Sequence, residues 1–207
     1  MALVKTHIDQ GIDELPQLEN LETAISYYET QDDSELMAYA IDAIAKFDKG
    51  GSYLVKVLID EKTSKENAAR IASILGQMDH EKAPVEDVME LLKLSNAYVR
   101  NLGITVLQAY GGAIKYYIVK FLIGDDRDLR IFAINVLGDV NFSESRDMLV
   151  ELLQKETDIN VAMTAVDYMA EIGEMEDIPL LETLKVRFND DPYVVFGVDN
   201  AINGIKG

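Results

Sequence analysis

Apolar residues recur along most of the chain at helical spacing, in blocks that repeat every thirty to thirty-two residues. One block, Leu129–Val140, reads LRIFAINVLGDV; similar blocks begin thirty residues earlier at Val99 and thirty-two residues later at Val161. Apolar positions three or four residues apart lie on one face of a helix. The pattern therefore predicts a series of amphipathic helices that form an internal repeat.

Two columns of residues, four apart, fix the frame of these helices, which we call A helices. The first column holds a small residue in five of six repeats: Ala40, Ile71, Gly103, Ala133, Ala165 and Gly197. The second column is apolar throughout: Ile44, Leu75, Leu107, Leu137, Met169 and Ala201. Small side chains allow neighbouring helices to approach closely, as a stacked array requires.

A second set of helices, the B helices, is predicted between the A helices. Their last core position is a leucine in every repeat: Leu58, Leu92, Leu122, Leu152 and Leu184. Another apolar residue precedes each leucine by four: Leu54, Val88, Ile118, Met148 and Leu180. We therefore predict an all-α superhelix, or α-solenoid, of about six helix pairs, with roughly twelve helices and no sheet.

Polar and glycine residues mark the predicted turns. Gly50-Gly51 and Gly111-Gly112 are expected to end A helices through a left-handed residue. Side-chain oxygens are expected to cap the A helices at Asp32-Asp33, Ser95-Asn96, Asp125-Asp126 and Asp190-Asp191. Prolines 84, 179 and 192 fall in first turns, where proline is tolerated.

The two ends depart from the frame. Residues 1–31 are predicted to be an N-terminal segment and capping helix, with the helix over 15–30, and residues 32–207 to be the repeat array. The cap and the array are expected to form one continuous domain. The last unit is predicted to hold only an A helix, broken by Gly204.

The chain is strongly acidic, with 37 acidic and 19 basic residues and a net charge of −18. This charge argues against nucleic acid and anionic membranes as partners, because both attract basic surfaces. It favours a protein partner with a basic surface, although solubility alone also accounts for it. Cysteine is absent, and neither a signal peptide nor an apolar span is recognised, which fits a cytoplasmic protein.

A longer motif joins these features between residues 125 and 153. It runs through Asp125-Asp126, Leu129-Arg130, Ala133, Leu137-Gly138, Met148-Leu149 and Leu152-Leu153. This motif resembles HEAT-like repeats, and more narrowly the short bacterial type named after phycobilisome lyases, over residues 32–205. The arginine column is filled only by Arg100 and Arg130, so a ladder of arginines between repeats is incomplete.

No catalytic, cofactor-binding or metal-ligating residue is predicted. His7 and His80 each lack a second histidine at ligand spacing and are expected to be surface residues. Acidic groups such as Glu174, Glu176 and Asp177 fall in turns, where helix capping explains them. We therefore predict a protein that is not an enzyme and that needs no cofactor.

One group of tyrosine and lysine residues on the B helices is a candidate for partner binding. Tyr53 with Lys56, and Tyr117 with Lys120, stand at the same two off-core positions, three residues apart, and Tyr116 adjoins the second pair. The resemblance places the B helices on the concave surface, and tyrosine is favoured at interfaces. These five residues are the predicted partner-binding set. The alternative is that the rings pack between repeats and the lysines only face solvent.

The favoured function is a protein-binding scaffold or adaptor, and the resemblance implies a bacterial signalling or assembly complex. A lyase or chaperone-like factor acting on a chromophore-bearing protein is the alternative that the named relatives imply. A nucleic-acid or base-repair module also occurs among HEAT-like folds, but it would require a basic groove.

Overall fold

A computed structural model describes residues 15–60, 63–140 and 143–207, and in these ranges the chain is helical with no strand. Twelve α-helices are present there: α1 Leu21–Glu29, α2 Ser34–Ile44, α3 Gly50–Ile59, α4 Lys65–Gly76, α5 Val85–Glu90, α6 Ala97–Ala109, α7 Lys115–Leu122, α8 Arg127–Gly138, α9 Ser145–Lys155, α10 Ile159–Ile172, α11 Ile178–Arg187 and α12 Pro192–Lys206. Short 3-10 turns cover Leu91–Lys93, Gly111–Ile114 and Met175–Asp177.

The helices form two layers, as the repeat predicts. The even-numbered A helices contact one another in chain order from α2 to α12. In the layer of odd-numbered B helices, α3, α5 and α7 contact in order and α9 contacts α11. The α-solenoid predicted from the sequence is therefore confirmed, with five complete pairs from α2 to α11 and single helices, α1 and α12, at the ends.

The core lies between the two layers and contains the predicted columns. The six residues of the second A-helix column are all buried, and so are the five leucines of the B helices. The other B-helix column shifts by one residue in α9 and α11. There Leu149 and Leu181 are fully buried, whereas the predicted Met148 and Leu180 are only partly buried.

A side-chain cap begins each of the six described A helices, and each predicted capping pair supplies one. Asp33, Asn96, Asp126 and Asp191 accept hydrogen bonds from backbone N–H groups in the first turns of α2, α6, α8 and α12. Asp158 does the same for α10. These bonds satisfy amides that have no partner within the helix.

The prediction for the first glycine pair is wrong. Gly50 and Gly51 are the first two residues of α3, and α2 has already ended at Ile44. The left-handed residue is Lys49, with φ of 61°. Gly50 is needed for a different reason, because a Cβ there would lie 1.9 Å from the carbonyl oxygen of Ile44. Gly111, at φ of 53°, follows α6 as predicted.

Both ends differ from the prediction. Helix α1 begins at Leu21, capped by Asn20, so residues 15–20 are not helical. Gly204 does not break the last helix, since α12 continues to Lys206. A Cβ at Gly204 would lie 2.7 Å from the carbonyl oxygen of Ala170 in α10, so this glycine allows the two helices to approach.

Arginines close the ends of B helices. Arg100 Nη1 donates to the carbonyl oxygen of Leu94, and Arg130 Nη1 donates to that of Gly124, each six residues earlier. The repeat that begins at α10 has Ala162 in this column. In place of an arginine in this column, Arg187 of α11 donates to the carbonyl oxygens at the end of α9, including that of Glu156. The sequence frame does not predict this substitution.

Candidate functional site

Three grooves lie along the layer of B helices. Groove 1, about 690 Å³, lies between α1 and α3 and reaches the start of α4. Groove 2, about 370 Å³, lies between α5 and α7. Groove 3, about 340 Å³, lies between α7 and α9. The first residues of A helices complete the walls, because the chain turns from each B helix into the next A helix there.

The predicted residues fall into separate groups. Tyr53 and Lys56 line groove 1. Tyr117 and Lys120 line groove 2. Tyr116 lines neither groove and is 81% exposed on α7. The sequence frame therefore places equivalent tyrosine–lysine pairs in equivalent places, but they do not form one continuous strip.

The two tyrosine rings are half-buried against the core, and the lysines are exposed. The Tyr53 hydroxyl donates to Glu29 Oε1 at 3.0 Å, which joins α3 to α1. Burial raises the pKa of Tyr53 above its ordinary value, and the bond to the Glu29 carboxylate raises it further. Tyr53 thus has a structural contact between repeats in addition to the edge that it presents to groove 1.

In groove 2 a lysine of the chain contacts both a carboxylate and an aromatic ring. Lys93 Nζ lies 2.7 Å from Glu90 Oε1 and 5.5 Å from the centroid of the Phe121 ring. An ammonium group is attracted both by a carboxylate and by the face of an aromatic ring. The same groove is lined by Glu86 and Asp125. Neither has an ion pair in the part of the chain that the structure describes.

The remaining candidates lie elsewhere. His80 is exposed in the turn between α4 and α5, and His7 lies outside the described residues. Glu174 and Asp177 form a capping box, and together with Glu176 they also surround Arg146 of α9. No cluster of three potential metal ligands occurs in residues 15–60, 63–140 and 143–207. Within these ranges no helix is long and apolar enough to cross a membrane.

A sequence comparison agrees with this architecture of capped A helices, arginine-bonded B-helix ends and two stacked layers. Residues 117–194 match the family model of HEAT repeats. Residues 117–194 therefore form HEAT-like repeats. The match extends from α7 to the start of α12 and includes the motif around Leu129-Arg130. Arrays of such repeats typically present extended binding surfaces.

The solved structures that are similar to this chain include the following two. One is an engineered protein with a TM-score of 0.43 and 21% identity, covering 90% of this chain and 96% of that one. The other is a designed armadillo repeat protein in complex with the peptide (KR)4, with a TM-score of 0.42 and 15% identity, covering 89% and 99%. No curated protein matches the chain.

Proposed function

We propose that this HEAT-like protein is a scaffold or adaptor that binds another protein along its B helices. The observation that carries the proposal is the recurrence of a half-buried tyrosine and an exposed lysine in grooves 1 and 2. Tyrosine offers a large, stiff contact area, and lysine offers a charge that can be neutralised by a partner.

The grooves are open to solvent and flanked by helices that are held by the core. The described B helices contribute their ends and exposed faces to binding, whereas their buried leucines hold the stack. This division allows the surface to vary without loss of the fold. A place in a cytoplasmic signalling or assembly complex of bacteria is part of the proposal and rests on the resemblance.

The test is affinity capture from native extract with the full chain as bait. Tyr117→Ala/Lys120→Ala removes the groove 2 pair, and we expect captured partners to fall by at least about tenfold if this pair contributes 1.4 kcal/mol or more. Tyr193→Ala/Lys206→Ala is the matched control, because it makes the same chemical change on α12, outside grooves 1–3.

Circular dichroism should show that both variants remain folded, since the altered side chains are not fully buried. Equal capture by the wild type and by the Tyr117→Ala/Lys120→Ala variant would overturn the proposal. Loss of capture only in the α12 control would move the binding face to the A helices and would also overturn it.

A further inference from the structure

Helix α7 carries an exposed apolar ridge, which we define as Tyr116, Val119 and Ile123. Ile123 directly follows the last residue of α7, and the spacing of three and four places the three side chains on one face. Tyr116 is 81% exposed, Val119 38% and Ile123 77%. The α7 ridge lies between grooves 2 and 3 and supplies Val119 and Ile123 to groove 3.

The exposure of Val119 is an exception within the repeat. Its position, three residues before the last core leucine, is at most 2% exposed in the other four B helices that carry the frame. Those equivalents are Val55, Met89, Leu149 and Leu181. In them the residue is covered by packing, whereas groove 3 separates α7 from α9 and leaves Val119 accessible. At the α7 ridge, therefore, a position that is buried in the other B helices is exposed.

On the described part of the ridge's rim, unpaired carboxylates outnumber unpaired cations. Glu90 pairs with Lys93, and Glu151 pairs with Lys155. Glu86 and Asp125 have no ion pair among the described residues, and Asp125 lines both grooves. Lys120 also lies on this rim, and it forms no ion pair with the described residues.

From these observations we infer that the α7 ridge docks a protein segment in which apolar side chains are interspersed with arginine or lysine. The inference rests on the proposed function and names the chemistry of the partner. The apolar side chains would cover Tyr116, Val119 and Ile123. The basic side chains would meet Glu86 and Asp125, in the way that Lys93 meets Glu90 and the Phe121 ring.

Charge argues for such a segment over a second copy of this chain. Each copy has a net charge of −18, so self-association would bring two strongly acidic molecules together. A basic segment reduces this charge and is attracted over a distance of about 8 Å at physiological salt.

The test is fluorescence anisotropy with two short labelled peptides, one of leucine, glycine and arginine and the other with each arginine replaced by glutamate. The full-length protein should bind the arginine peptide at least about tenfold more tightly, and its affinity should fall as salt rises. Glu86→Lys/Asp125→Lys and Val119→Ser/Ile123→Ser should each weaken binding of the arginine peptide by a similar factor.

The matched charge control is Glu66→Lys/Glu171→Lys, which reverses two exposed carboxylates on the A helices α4 and α10. It makes the same change in net charge, so an equal loss of affinity in this variant would overturn the inference as non-specific attraction. Equal affinity for the two peptides would overturn it as well. So would a dimer in sedimentation experiments that Val119→Ser/Ile123→Ser dissociates.

Capture of partners by the two double variants separates the basic partner from the binding face. If capture from extract depends on Tyr117 and Lys120 but not on Glu86 and Asp125, the binding face stands and the basic partner is wrong. If capture is indifferent to Tyr117 and Lys120, the proposed function itself fails.

Discussion

Arg146 Nε in α9 lies 2.8 Å from Asp177 Oδ2 in the turn that precedes α11, and this contact joins two consecutive B helices. The side chains are 19% and 5% exposed, so the pair is largely shielded from water. Asp177 also accepts the backbone N–H of Glu174 at 2.8 Å. The hydrogen bond to Asp177 raises the pKa of the Arg146 guanidinium above its ordinary value.

Arg146→Met should lower the free energy of unfolding by about 2–4 kcal/mol, because it leaves the Asp177 carboxylate shielded without its cation. Arg70→Met is the matched control, since Arg70 pairs with Asp42 of the preceding A helix in an exposed position. We expect a loss of less than about 1 kcal/mol there. Urea denaturation of both variants measures the difference, and equal losses would contradict a special role for Arg146.

Gly138→Ala should destabilise the protein by about 1–3 kcal/mol. A Cβ at this position would lie within 2.2 Å of three ring carbons of Tyr168 in α10. Gly76 ends α4 at the same place in the repeat, but its Cβ would lie 3.4 Å from Ala109 Cβ, an ordinary contact. Gly76→Ala should therefore be neutral, or stabilising by up to about 1 kcal/mol through helix propensity. Thermal unfolding of the two variants compares them, and equal shifts would reject the steric argument.

Tyr110→Phe should leave stability unchanged or raise it by about 1 kcal/mol. The Tyr110 hydroxyl is buried and has no hydrogen-bond partner among the described residues. An unsatisfied buried hydroxyl costs free energy that the phenylalanine ring does not. Tyr39→Phe is the control, because its hydroxyl donates to the carbonyl oxygen of Pro16 at 2.7 Å. A loss at Tyr110 as large as at Tyr39 would show that the hydroxyl has a partner.

The stability of the protein should fall at acid pH partly through Glu144, which precedes α9. A hydrogen bond from Lys115 of α7 holds the pKa of Glu144 below its ordinary value. Its contribution is therefore present above the pKa of the unfolded chain, about 4.3, and is lost as pH falls through the lower pKa of the folded state. Glu144→Gln should reduce the slope of stability against pH in this window.

The control for this pH dependence is Glu81→Gln in the turn between α4 and α5. Glu81 has no ion pair among the described residues, so its replacement should leave the slope as in the wild type. A slope that is unchanged in Glu144→Gln would show that the Lys115 bond does not contribute to acid stability.

The sequence predicted the stack well because its core follows a strict period. Residues such as Leu107 and Leu137 are equivalent by spacing, and equivalent spacing gives equivalent burial in stacked repeats. Caps such as Asp126 are also local, since the oxygen and the amides that it binds are two or three residues apart. Local and periodic features are the ones that a single sequence can show.

The features that distinguish one repeat from another were not predicted. Val119 is apolar like its equivalents, so nothing in the sequence separates it from the buried column. Val119 is exposed because it lines groove 3 between α7 and α9, and such a groove depends on packing between repeats. Likewise, the Gly50-Gly51 pair has the composition of a helix end, whereas in the folded chain it begins α3, and Gly50 lies close to the carbonyl oxygen of Ile44. The tyrosine–lysine set stays a prediction for the binding experiments.

Arg187 has a consequence for engineering. It closes the end of α9 from the following helix pair, because the column that holds Arg100 and Arg130 offers only Ala162 there. The helix pairs of this array are therefore not interchangeable. Deleting or transplanting the pair α10–α11 would remove the donor at the end of α9, just as deleting α6–α7 or α8–α9 would remove Arg100 or Arg130 from the end of α5 or α7. A shortened or lengthened array should keep α5 with α6 and α7 with α8, and should keep α9 with both α10 and α11.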